Sequence, residues 1–190
     1  MALHFERAEF AARRDRTLAA MAEAGLDGLL MFKQESMFWL TGYDTFGFCF
    51  FQCLVVKADG SMVLLTRSAD LRQARHTSTI ENIVLWTDRH DANPAADLRN
   101  LLNDLDLLGA RIGVEYDTYG LNARNGKRLD AALDGFAILA DASELVSRLR
   151  MVKSPAELAY VRRAAELADD ALEEAHRLTG PGAGQTVRLL

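Results

Sequence analysis

"FFQCLVVKADGSMVLLT" occupies residues 50–66. Two runs rich in β-branched and aliphatic residues flank a turn containing Asp59-Gly60, which is the pattern of a β-hairpin. Reading outward from this hairpin, "LDGLLMF" (26–32), "NIVLW" (82–86), "RIGVEY" (111–116) and "FAILAD" (136–141) are short apolar runs of strand length. Between them lie segments of helical character. Residues 5–24 place Phe5, Ala8, Ala12, Leu18 and Met21 near one face, and Gly25 follows as a left-handed cap. A helical turn is expected around 36–41 and a helix over 68–77. Residues 93–109 carry Asn93 as N-cap, Pro94 at the first helical position and Gly109 at the end. Helices are also expected over 121–134 and 142–150. Strands alternating with helices, plus one hairpin, predict a mixed α/β sheet covered by helices.

The chain has 190 residues, which suits one domain, or one domain and part of a second. It is 49% hydrophobic and 26% charged, the balance of a globular protein with a sizeable core. A net charge of −5 provides no global positive field for nucleic acid or anionic lipid. The N-terminal stretch "MALHFERAEFAARRDR" mixes both signs of charge and lacks the apolar centre of a secretory signal. The longest mostly apolar stretch, "FGFCFFQCLVV", is shorter than the ~20 residues that span a bilayer. The cytoplasm is the expected compartment. If Cys49 and Cys53 share a strand, they lie about 13 Å apart on one face. That is too far for a disulfide, so both read as small buried apolar side chains.

The usual catalytic signatures are missing. No Gly-x-Ser-x-Gly elbow or Cys-His arrangement is present. "GLNARNGKR" (120–128) follows a strand, but five residues separate Gly120 from Gly126 where a phosphate loop has four. Arg128 also stands where that loop needs Ser or Thr. A nucleotide site at Gly120–Lys127 is therefore the weakest functional reading. Asp88, His90 and Asp91 cluster after a strand, yet a metal needs three or four convergent ligands, and solvated loop residues explain them as well. No metal site is expected in this chain.

Residues 38–51 hold seven of the fifteen aromatics: Phe38, Trp39, Tyr43, Phe46, Phe48, Phe50 and Phe51. Some belong to the core. Within "TGYDTFGF", however, two glycines and a Tyr-Asp turn can present rings to a ligand or a partner chain. Core, interface and substrate contact all remain open for these rings.

The last long element is "SPAELAYVRRAAELADDALEEAHRL" (154–178). Ser154 and Glu157 form a capping box with Pro155 at the first helical position. Leu158, Val161, Ala165, Ala168, Leu172 and Ala175 recur every three or four residues and make one apolar face. Arg162–Glu166 and Glu173–Arg177 are spaced to pair across one turn. Over 155–178 such a helix is about 36 Å long. "TGPGAG" (179–184) follows with linker composition.

Three segments resemble the creatinase/prolidase, or pita-bread, metallohydrolase family: "GLDGLLMFKQESMFWLTGYDT" (25–45), "RIGVEYD" (111–117), and "RLRMVKSPAELAYVRRAAELADDA" (148–171). The third resembles the family's entry into its catalytic domain, where Arg-x-x-Lys-Ser-x-x-Glu opens a long helix. "GYDTFGFCFFQCLVV" looks nearest to the ectoine-hydrolase and Xaa-Pro aminopeptidase or dipeptidase branches.

The resemblance implies a mixed-sheet creatinase N-terminal-type α/β domain, ribonuclease-H-like, over residues 1–150. Residues 151–190 would be the linker and first helix of a truncated or absent catalytic domain. It implies a bilobal parent whose C-terminal lobe binds two divalent metal ions (Mn, Co or Zn) through Asp, His and Glu. A metal-bridging hydroxide would attack the scissile carbonyl there. The N-terminal lobe would supply homodimer contacts and narrow a partner's active site. None of the metal ligands has a match in this chain, which alone is expected to be inactive. Tyr43, Asp44, Phe48, Gln52, Arg67 and Asp70 are the substrate or interface candidates. Arg67 and Asp70 stand where they can reach a substrate's carboxylate or amine, or serve as surface charges. The alternative is a stand-alone protein- or small-molecule-binding module using the aromatic loop 43–51.

Overall fold

The structure, a computed structural model, describes residues 3–179. These form two units that divide between Met151 and Val152.

The first unit is a six-stranded sheet between two helical layers. Its strands are β1 (Gly28–Met31), β2 (Cys53–Lys57), β3 (Met62–Arg67), β4 (Asn82–Trp86), β5 (Arg111–Val114) and β6 (Ile138–Asp141). Their spatial order is β4-β3-β2-β1-β5-β6. The predicted hairpin is β2–β3, antiparallel with Cys53 opposite Leu65, and Gly60 takes φ +85° in its turn. β2 also runs antiparallel to β1, while β3–β4, β1–β5 and β5–β6 are parallel. Five strands thus point one way and β2 alone the other. The carboxyl ends of β1, β3, β4, β5 and β6 all emerge at one edge of the sheet.

Alternate strand residues feed opposite layers, because successive side chains on a strand point to opposite faces. Leu29, Met31, Leu54, Val56 and Leu64 join α1 (Arg7–Glu23), α2 (Gln34–Thr41), α3 (Leu71–Thr77) and α6 (Leu145–Met151) through Met21, Met37, Trp39, Leu40, Ala74 and Val146. Leu30, Cys53, Val55, Leu65, Ile112 and Val114 face α4 (Pro94–Asp104) and α5 (Ala123–Leu133) through Leu98, Leu102, Leu129 and Leu133.

Several expectations shift in detail. α2 is a full eight-residue helix rather than one turn. α4 ends at Asp104, five residues short of Gly109, and the Asn93 side chain makes no capping bond. The chain leaves that helix through Asp106 at φ 58° and reaches Gly109 at φ 75°. Cys49 lies in a short 3-10 turn, Phe46–Cys49, and is exposed, so only Cys53 behaves as a buried apolar side chain.

The second unit is α7 (Pro155–Leu178), with the predicted bounds and capping box. Ser154 Oγ accepts from the Glu157 amide at 3.2 Å, and Glu157 Oε2 accepts from the Ser154 amide at 2.8 Å. The surface pairs sit one position away from those expected: Arg163 with Glu166 and Glu174 with Arg177. None of the α7 residues is buried. "GPGAG" (180–184) lies outside the described residues.

Candidate functional site

The carboxyl edge of the sheet carries two neighbouring arrangements. The first is the aromatic loop. α2 ends at Gly42, at φ +81°, where a Cβ would lie 2.8 Å from the Thr77 carbonyl; only glycine fits. The chain then turns Tyr43 inward, where it is fully buried. Its hydroxyl donates to Gln52 Oε1 at 2.5 Å, and Thr66 Oγ1 donates to the same oxygen at 2.8 Å. Gln52 Nε2 donates to the Gly47 carbonyl at 2.7 Å. Burial pushes the Tyr43 hydroxyl above its ordinary pKa, so it stays a donor at neutral pH.

Thr45 continues this buried base. Its hydroxyl accepts from the Gly47 amide at 2.9 Å and donates to Asp70 Oδ1 at 2.7 Å. Asp70 Oδ2 accepts from Arg67 Nε at 3.0 Å and lies 2.9 Å from Nη2. The same guanidinium lies 3.5 Å from the centroid of the Phe50 ring and 3.7 Å from Asp88. A side chain at Gly47 would collide with Gln52 Nε2 and come within 2.5 Å of Asp70 Oδ1. Above this polar base three rings turn outward. Phe46 is 89% exposed, while Phe48 and Phe50 are each 45% exposed. Phe48 meets Tyr119 edge-on, with centroids 6.0 Å apart.

The second arrangement surrounds Glu115, just beyond β5. Glu115 is completely buried. Ser36 Oγ donates to its Oε1 at 2.6 Å and the Lys33 amide donates to Oε2 at 3.0 Å. Burial outweighs these bonds and pushes the carboxyl up to about 7. Above it opens a cleft of about 570 Å³ between the start of α2, the β5–α5 loop and α6.

Four of the six sequence candidates therefore meet. Tyr43, Gln52, Arg67 and Asp70 form one network under the loop, with Arg67 and Asp70 satisfying each other. Asp70 is not a surface charge, because it is buried. Phe48 lies outside this base, and Asp44 is exposed, held only through its backbone by Thr77. Gly120 offers no phosphate cradle. A Cβ there would meet the carbonyl oxygens of Phe32, Phe48 and Phe50 at 3.2–3.3 Å, and lone pairs repel an anion. Of the Asp88–His90–Asp91 cluster, Asp88 pairs with Arg67 and Asp91 with Arg89. Among the described residues no three His, Cys, Asp or Glu converge on a point that would hold a metal. No helix among them is long and apolar enough to cross a membrane.

Residues 13–152 match the Creatinase/Prolidase N-terminal domain. The chain belongs to this family. Ectoine hydrolase of Halomonas elongata is 32% identical over 174 residues, covering 88% of this chain and 43% of the relative. A dipeptidase structure from Pyrococcus horikoshii OT3 superposes with a TM-score of 0.71 at 25% identity, over 89% of this chain and 45% of that one. A prolidase structure from Thermococcus sibiricus gives a TM-score of 0.75 over 90% of this chain and 45% of that one. At 18% identity it speaks to the fold alone. The chain spans about half the length or less of the curated relatives it matches. The creatinase N-terminal fold is thus the mixed sheet with its single reversed strand, and the long helix follows it.

Sequence reading missed Glu115, Thr45 and Thr66. The sequence reads as a strand over "RIGVEY" (111–116), and a single acid near the end of such a run looks like a solvated strand-end residue, whereas β5 ends at Val114 and Glu115 is buried just beyond it. The only available signal was its place at the carboxyl end of a central parallel strand, where ligand and polar sites collect.

Proposed function

We propose that this chain is the non-catalytic N-terminal lobe of a dinuclear-metal hydrolase of the Xaa-Pro peptidase or creatinase type. In this reading the aromatic loop 43–51 supplies contacts to a second subunit and restricts access to that subunit's active site. The supporting observation is the loop's two-sided construction. A buried hydrogen-bonded base holds Phe46, Phe48 and Phe50 outward, and exposed aromatics on a rigid support are typical of contact surfaces. The family's two metal ions find no fitting donor set among the described residues, which supports reading this lobe as non-catalytic. The cytoplasm remains the proposed compartment, and nucleic acid and membranes are not among the proposed partners.

The test has two arms. The purified chain, supplied with manganese or cobalt, is expected not to hydrolyse Xaa-Pro dipeptides; metal-dependent turnover overturns the non-catalytic reading. Sedimentation equilibrium is expected to show a dimer that Phe46→Ala weakens by about tenfold or more, as a buried contact aromatic would. A monomer at every concentration, or a dimer indifferent to Phe46, overturns the loop's role in assembly. Capture of an unrelated protein or a small molecule by the loop would instead favour the binding-module alternative.

A further inference from the structure

β1 and β5 are parallel neighbours whose connections leave to opposite faces of the sheet. β1 leads into α2, whose Met37, Trp39 and Leu40 pack on one face; β5 leads into α5, whose Leu129 and Leu133 pack on the other. Two adjacent parallel strands that part in this way leave a crevice outside their carboxyl ends, the place where open α/β sheets bind ligands. The cleft above Glu115 occupies that position. Its volume of about 570 Å³ falls within the range of small-molecule sites.

The chemistry of its wall is mixed in a particular way. Lys33 and Arg150 bring two positive charges, Glu35 and Asp117 two negative ones. Among the described residues none of the four is closed into an ion pair; the Lys33 ammonium makes a 3.4 Å hydrogen bond to Ser147 Oγ, and its charge also acts on the buried Glu115 carboxyl without a direct bond to it. One side of the cleft continues into a smaller, mainly apolar pocket through the shared residues Glu35, Thr118 and Tyr119. This pocket is lined in addition by Phe48 and Gln34. Gln34 Oε1 is a buried acceptor without a hydrogen bond among the described residues.

The walls are also braced. Thr118 Oγ1 donates to the Phe32 carbonyl at 3.1 Å, which ties the β5–α5 loop to the end of β1. Ser143 Oγ accepts from the amides of Tyr116 and Asp117 at 3.0 and 3.2 Å, and itself donates to Asp141 at 2.6 Å. Glu115 pins the start of α2 from below. A cleft held open by cross-links from three elements loses little entropy when it is filled.

We infer that this switch-point cleft binds a small zwitterion with an apolar side chain, a free amino acid of the leucine class. Its carboxylate lies toward Lys33 and Arg150, its ammonium toward Glu35 and Asp117, and its side chain against Phe48 and Tyr119. Charge-assisted hydrogen bonds at both ends give the site a requirement for both charges. The inference is independent of the assembly role: the chain can bind an amino acid as a monomer or as a dimer.

Isothermal titration calorimetry with L-leucine, L-leucinamide and N-acetyl-L-leucine tests it, alongside amide NMR shifts of the labelled chain. L-Leucine is expected to saturate and to move the amides of Lys33, Thr118 and Gly120. Removing either charge from the ligand is expected to weaken binding about tenfold or more, as the loss of one charged hydrogen bond does. The same loss is expected from Arg150→Gln and from Glu35→Gln, neither of which touches the core. No saturation by L-leucine, equal binding of the capped analogues, or binding unchanged by both variants overturns the proposal.

Discussion

Asp70 and Glu115 are both buried carboxyl groups at the same edge of one sheet, and the fold treats them differently. Asp70 receives a guanidinium, at 2.9 and 3.0 Å, and a hydroxyl. Glu115 receives a hydroxyl and a backbone amide. The first carboxylate is bonded directly to a cation; the second is bonded to a hydroxyl and an amide, the Lys33 charge acts on it without a direct bond, and burial raises its pKa to about 7. Asp70 is riveted into the loop's base by a direct cation bond. Glu115 is buried without such a bond, and its raised pKa makes it sensitive to pH.

The largest test of this contrast removes the rivet. Asp70→Ala leaves Arg67, whose side chain is only 13% exposed, without its main partner and takes from the Thr45 hydroxyl its shorter bond, leaving Gln73 Oε1 at 3.0 Å as its acceptor. A loss of about 3–5 kcal/mol is expected in urea unfolding, the usual result of breaking a buried pair from one side. A loss below about 1 kcal/mol would make the pair no better than a surface one.

Next is the pH dependence written into Glu115. Its pKa is raised in the folded state above the ordinary 4.5, so the native chain binds the extra proton between about pH 4.5 and 7. Stability contributed by this group is therefore present at the acid end of that window and lost as pH rises through about 7. The full swing is on the order of 3 kcal/mol, from a shift of two to three units. Urea midpoints measured from pH 5 to 8 should fall across the window, and Glu115→Gln should flatten the curve. An unchanged slope in that variant would assign the effect to other groups.

Smaller effects separate the loop's base from its tip. Gly47→Ala drives a methyl into Gln52 and Asp70, whose side chains are held by Tyr43, Thr66 and Arg67, and is expected to cost about 2 kcal/mol by chemical denaturation. Tyr43→Phe deletes one donor to Gln52 Oε1 but leaves Thr66 bonded to it, so about 1 kcal/mol is expected. If Tyr43→Phe cost more than Gly47→Ala, the hydroxyl rather than the tight backbone approach would be the keystone of the base.

These contrasts also show why the sequence was unevenly legible. The hairpin around Asp59-Gly60, Pro94 at the start of α4 and the Ser154–Glu157 box are local signals, complete within a few residues, and the structure repeats them. α2 carries no side-chain cap at Lys33, so its first turn left no mark in the sequence. The run from Phe50 reads as the start of the hairpin, but Thr45 caps a 3-10 turn over Phe46–Cys49 and β2 begins only at Cys53. The site is harder still. Arg67 and Asp70 stand three residues apart and invite pairing, yet Thr45 and Thr66 reach the network from 25 residues before Asp70 and 14 residues after Gln52. Nothing local marks a threonine as buried. Glu115 meets Ser36 across 79 residues of chain, and no window of sequence contains both.

The sheet order has a kinetic consequence. β1 pairs with β2 through a connection of modest length, and β2 with β3 through a tight turn, whereas β1 meets β5 only when Gly28 finds Ile112. The three-stranded meander has the smaller loop-closure cost and should form first. Until β5 arrives, the other side of Gly28–Met31, apolar along its whole length, is a bare strand edge that another copy of the chain can dock onto. Refolding yield is therefore expected to fall as protein concentration rises, and a chain synthesised from its N-terminus carries that open edge until residue 114 has been made.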